Sequence, residues 1–147
     1  TVLRKKNKIV VLASDHAGFK LKQVIKFFLL KKGNKVQDLG TNNTNPVDYP
    51  DYAHKLSKKM NSSKSMFGIL VCGSGIGMSI VANKNKNVRA ALCHNKKSSI
   101  FSRRHNNANV ITLGSRFIKK KLALKCVDLF INTKFDGGRH LKRVKKI

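Results

Sequence analysis

Residues 68–79, "GILVCGSGIGMS", set a thiol at the end of an apolar run and follow it with backbone almost bare of side chains. Gly73, Gly75 and Gly77 alternate with Ser74 and Ile76. Two phosphate-binding loops can be tested against this stretch, and both fail. A dinucleotide fingerprint wants its third glycine where Met78 stands, and an acidic residue about 20 positions on to hold the ribose hydroxyls. No acidic residue lies between Asp51 and Asp128. A Walker loop would close with Gly-Lys-Ser/Thr, which this stretch lacks. What remains is a strand-to-helix turn whose N–H groups bind an oxyanion. The positive end of a helix also favours thiolate over thiol. Cys72 therefore sits where a thiolate would form, beside a site for developing negative charge. Cys93 and Cys126 have no such context and read as small core residues.

The elements that must carry this thiol can be read from periodicity. Residues 8–14, "KIVVLAS", form a short β-branched run bounded by charge, which predicts a buried strand. Over 17–32 apolar residues recur at helical spacing, with Lys20, Lys22 and Lys26 between them, and Gly33 ends the helix. A strand is predicted at 35–40, then a loop over 41–48, then a helix capped by Asp51 and running to about Met60. Strands follow at 67–72, 88–93 and 110–113. Helices follow at 77–85, 96–106 and 118–132. Strands alternating with helices of this length predict an α/β fold with both sheet faces covered. The expectation is a single Rossmann-like three-layer domain over 1–147 with a five-stranded parallel sheet. In such sheets ligands bind beyond the carboxyl ends of the strands. Asp15, Cys72 and His94 fall at such ends.

Composition bounds the remaining possibilities. The 147 residues carry 32 lysines and arginines against six acids, all aspartate, for a formal net charge of +26. Nucleic-acid binding is the obvious functional reading of such a balance. The lysines are scattered from Lys5 to Lys146 with few aromatics among them for base stacking, so a compositional bias over solvated faces is preferred. No apolar run reaches the ~18–20 residues that span a bilayer, and the N-terminal "TVLRKKNKIVV" lacks a secretory apolar segment. No membrane partner and a cytoplasmic location are expected. Three cysteines without a Cys-x-x-Cys pair argue against disulfides or a zinc ribbon, and no His/Cys/Asp cluster has ligand spacing, so no metal or cofactor is expected.

Five segments occur in order: "SDHAGFKLK" (14–22), "DYPDYA" (48–53), "GILVCGSGIGMSIVANK" (68–84), "SRRHNNANVITLGSR" (102–116) and "FDGGRHLKRVKKI" (135–147). Together the chain resembles the ribose-5-phosphate isomerase B family, which also contains galactose-6-phosphate and allose-6-phosphate isomerases. The resemblance implies an aldose–ketose isomerase working through an enediol(ate) without a metal. It implies Cys72 as the base that moves the proton, and Gly73, Ser74, Gly75, Ile76 and Gly77 as the loop around the sugar oxygens. Asp15 and His16 would contact substrate, His16 at its phosphate end. His105 would open the furanose ring, with Asn106 beside it. Arg116, Arg139 and Arg143 would hold the phosphate. A sister branch carries glutamate just after the third glycine, where Met78 stands here, which puts this chain with the cysteine branch. The resemblance also implies a homodimer, or a dimer of dimers, with sites shared at the subunit interface and a phosphorylated sugar as substrate. Arg139 and Arg143 are spaced i, i+4, one face if helical. Asp38 and Asp128 are read as solvated or capping and His54 as solvated; Tyr49 and Tyr52 are read as structural around Pro50, with their loop as the alternative lining of the site, and His94 and His140 receive no role.

Overall fold

The computed structural model describes residues 8–147; most of the basic N-terminal stretch lies outside them. Five strands, β1 (Ile9–Ser14), β2 (Lys35–Asp38), β3 (Met66–Cys72), β4 (Ala90–Leu92) and β5 (Val110–Gly114), form one sheet in the order β2-β1-β3-β5-β4. Every pairing is parallel, with Ser14 opposite Val71 and Cys72 opposite Gly114. Helices α1 (Phe19–Lys31), α2 (Tyr49–Met60), α3 (Ile76–Ala82), α4 (Lys96–Arg104) and α5 (Lys120–Asn132) connect or follow them, and a short α6 (Arg139–Val144) ends the chain.

Side-chain alternation along the strands builds two cores. Val10, Leu12, Ile69, Val71, Ile111 and Leu113 point to one face and pack on α1 and α5 through Leu21, Ile25, Leu29, Val127 and Phe130. Val11, Ala13, Leu70 and Cys72 point the other way, onto Ala53 and Leu56 of α2 and Met78 and Ala82 of α3. The predicted five-stranded parallel sheet with helices on both faces is thus the observed one. Chain direction along the sheet reverses between β1, which leads outward to β2, and β3, which leads to the other edge. The carboxyl ends of β1 and β3 therefore form the switch-point crevice. None of the described helices is long and apolar enough to cross a membrane.

Three local expectations are corrected. Helix α2 starts at Tyr49 with Asp48 at its N-cap, because Pro50 fits the first turn, where no N–H is needed; Asp51 lies inside that turn. Strand β4 is shorter than 88–93. Among the described residues it is an edge strand paired only with β5, and the Asn83 side chain brackets Ala90 through both its N–H and its carbonyl. Lys22 is not on the solvent face of α1. It is completely buried, and its ammonium lies 2.7 Å from both oxygens of Asp38. Burial pulls the Lys22 ammonium below its ordinary range despite that partner. Burial alone would raise the Asp38 carboxyl, but hydrogen bonds from Lys22 and the Gly40 N–H outweigh it and hold the group below its usual range. Asp38 is therefore an ion-pair anchor, neither solvated nor a helix cap.

Candidate active site

At the carboxyl end of β3 the Cys72 side chain is nearly enclosed, 4% exposed. Its Sγ accepts the Gly75 N–H at 3.1 Å, a donor that supports negative charge on sulfur. Gly75 caps α3 with φ +77°, and a Cβ there would come within 2.6 Å of the Leu92 side chain. Only glycine can aim that N–H at the thiol. At Gly73 a Cβ would come within 2.7 Å of the Arg116 guanidinium, so the missing side chain is what lets Arg116 lie over the loop. Arg116 N–H donates back to the Gly73 carbonyl at 3.0 Å. Ser74 Oγ accepts the Ile76 N–H at 3.2 Å, which leaves its own hydrogen to donate outward.

Beside the thiol, the end of β1 delivers Asp15 and His16. The Asp15 carboxylate accepts the Gly18 N–H at 3.0 Å, and the side chain is almost buried. The His16 Nδ1 accepts the Val47 N–H at 3.1 Å, so a neutral ring carries its proton on Nε2. Tyr49 follows the alternative reading, in which its loop lines the site. Its ring covers Gly77 so closely that a Cβ there would meet it at 2.6 Å, and the phenol is partly exposed above the loop. The signal for Tyr49 was the glycine opposite it, which sequence spacing alone does not connect to residue 49.

A second group gathers at the other end of the sheet. Helices in a parallel α/β layer run opposite to their strands, so α4 ends, at Arg104, near the start of β5. His105 follows, sandwiched between Phe101 (centroids 4.8 Å) and His140 (4.3 Å, planes within 10°). Asp136 is gripped by Arg104 at 3.1–3.2 Å and donates its own N–H to the Arg104 carbonyl. The hydrogen bond from the Arg104 guanidinium to the carboxylate holds the Asp136 carboxyl below its usual range. His140 is pushed below its ordinary value by desolvation and by the charges of His105, Arg139 and Arg143. Arg139 and Arg143 lie one turn apart on α6, both exposed, and Asn106 is exposed next to His105. Ligand atoms of His105, Asp136 and His140 come within 4.8 Å of one another, a cluster that sequence spacing does not reveal. Arg104 donates to both carboxylate oxygens there, so the triad reads as an ion-paired stack within a ring of cations.

The structure thus brings Asp15, His16, Cys72, Gly73 to Gly77 and Arg116 together at one end of the sheet. It brings His105, Asn106, Arg139 and Arg143 together at the other. Cys72 is level with Gly114, whereas His105 precedes Val110, four residues earlier on the same strand. That separation is on the order of 13 Å of sheet before any loop is counted. Within one chain the two groups do not meet.

Comparison with known proteins gives a consistent picture. The family described as Ribose/Galactose Isomerase matches residues 10–147. The chain is 39% identical over 140 residues to ribose-5-phosphate isomerase B of Escherichia coli (strain K12), covering 95% of this chain and 94% of that protein. A crystal structure of ribose 5-phosphate isomerase from Thermotoga maritima superposes with TM-score 0.93 at 48% identity, covering 96% of this chain and 97% of that one. The ribose-5-phosphate isomerase B of Mycoplasma genitalium, solved with bound ribulose-5-phosphate, superposes with TM-score 0.92 at 41% identity, covering 97% and 95%.

Proposed function

The chain belongs to the ribose/galactose isomerase family, and from that footing we propose that it is a ribose-5-phosphate isomerase of type B. The observation that carries the chemistry is the Cys72 sulfur held under the Gly75 N–H at the switch-point crevice. A thiolate there takes the proton from C2 of the open-chain aldose phosphate, the O2 hydroxyl proton passes to the O1 oxyanion of the enediolate, and the thiol returns its proton to C1. The enediolate oxygens form beside the backbone N–H groups of Gly73 to Gly77, which need no reorganisation as charge develops. His16 Nε2–H and Asp15 flank the substrate on the β1 side. His105 protonates the ring oxygen as the C1–O4 bond breaks and the anomeric hydroxyl releases its proton to solvent, which opens the chain. Arg116, Arg139 and Arg143 hold the phosphate, and the net positive charge raises the encounter rate with an anionic substrate.

This scheme needs two chains. His105, Asn106, Arg139 and Arg143 reach the thiol only from a neighbouring copy, and the symmetric solution is a homodimer with two shared sites. Exposed apolar side chains support the pairing: Ile76 and Ile80 on α3, Phe117 after β5, Phe101 against the His105 ring and Leu141 on α6. Proton transfer is metal-independent in this account, since the developing charge is met by N–H donors. Ribose 5-phosphate should turn over faster than galactose 6-phosphate or allose 6-phosphate, and dialysis against a chelator should leave the rate unchanged. A loss restored by one divalent ion would sink the proton-transfer scheme as written.

The arginines can be separated from the general charge. Arg139→Lys keeps the charge and loses the planar fork that grips phosphate at two oxygens, so kcat/KM should fall several-fold or more. Neutralising Lys58 and Lys59 together removes more charge and should alter only the salt-dependent encounter. Equal damage from both changes would leave bulk electrostatics as the sufficient cause.

A further inference from the structure

Helix α1 inverts the usual order of burial. It encloses Lys22 completely yet leaves Phe27 65% and Leu30 46% exposed. These two lie three residues apart and share one outward face. Next to them, α1 and α5 border a groove of about 610 Å³ with Phe28, Leu122 and Leu124 among its walls. Five lysines, including Lys32, Lys121 and Lys125, rim the groove against one carboxylate, Asp128. Exposed Lys20 and Lys31 add to that charge, and α1 itself has no acidic residue.

What covers such a face must offer apolar depth and negative charge together. A second copy would set one lysine rim against another. A small soluble anion would satisfy the lysines but leave protruding Phe27 and Leu30 in water. A basic helix with apolar residues on its outer face instead matches the boundary of a lipid leaflet, where headgroups meet acyl chains. We propose that the α1–α5 face attaches the protein peripherally to an anionic bilayer, with Phe27 and Leu30 entering the headgroup boundary and the lysines on the headgroup anions. The attachment is independent of the isomerase reading, since none of these residues belongs to the site.

Co-sedimentation with vesicles tests it. Phosphatidylcholine vesicles containing about 30% phosphatidylserine should carry the wild-type protein down at about 0.15 M salt, and phosphatidylcholine alone should not. Phe27→Ser with Leu30→Ser should weaken that binding about tenfold or more while the thermal melt and isomerase turnover stay as in wild type. Lys121→Gln with Lys125→Gln should weaken it several-fold, more than the same double neutralisation at Lys58 and Lys59 on α2. Failure to bind the anionic vesicles at that salt would overturn the proposal. So would unchanged binding by the Phe27/Leu30 variant, which would leave bulk charge as the cause. A lower oligomeric mass of that variant in light scattering without vesicles would make the face a contact between copies and overturn it as well. Selective, Phe27-dependent binding of an acidic amphipathic peptide in place of vesicles would equally reassign it to a protein partner.

Discussion

Cys72→Ala is expected to lower kcat by about 10²–10⁴, the range of a positioned general base, while the fold is kept. The sulfur is nearly enclosed and, among the described residues, accepts only the Gly75 N–H, so removing it costs one hydrogen bond and a small void. The loop itself persists, because Ser115 N–H still bonds the residue 72 carbonyl and Arg116 N–H the Gly73 carbonyl. Alkylation of the thiol should reproduce the loss, and bound substrate should slow the alkylation. Retention of more than about a tenth of wild-type activity would remove Cys72 from the base role.

His105→Ala is expected to cost a similar factor on ribose 5-phosphate, through a different step. The aldose is a furanose, closed through its C4 oxygen, and a proton donor must release that oxygen first. Ribulose 5-phosphate has its C5 oxygen blocked by phosphate and cannot close a furanose through it. Exchange of its C1 proton with solvent deuterium needs Cys72 but no ring opening. The His105 variant should therefore retain this exchange while aldose turnover falls by about 10²-fold or more, and Cys72→Ala should lose both. Equal loss of both activities in the His105 variant would make His105 part of the proton-transfer step and remove its assignment to ring opening. His105 packs on the Phe101 and His140 rings, so a circular-dichroism melt is the accompanying control.

Most of the sheet was legible because its strands are short β-branched runs between charges, and because the glycine loop can serve few purposes after a buried strand. Residues whose environment is created by topology were not legible. Lys22 sits among helical-period lysines and looks solvated; only the parallel pairing of β1 with β2 brings Asp38 over it. Pro50 moved the start of α2 three residues earlier than a cap at Asp51 suggested, since proline is favoured where the first turn has no bond to lose. Tyr49 became part of the candidate site only through Gly77, which lies 28 positions away in the sequence. The thiol and His105 were both singled out, but their placement at opposite ends of the sheet follows from helices running against strands, which no motif records. The Arg104–Asp136 pair and the His105–His140 stack arise because α5 returns the chain to the end of α4.

The shared site is the central claim, and mixing two inactive chains tests it most directly. Cys72→Ala and His105→Ala proteins, each inactive on ribose 5-phosphate, should be combined in equal amounts under conditions where native mass spectrometry shows subunit exchange. In a mixed dimer one site receives wild-type Cys72 and wild-type His105, and the other receives neither. Random reassortment makes half the dimers mixed, so about a quarter of wild-type turnover should return. A mixture that exchanges subunits and stays inactive would contradict the shared site.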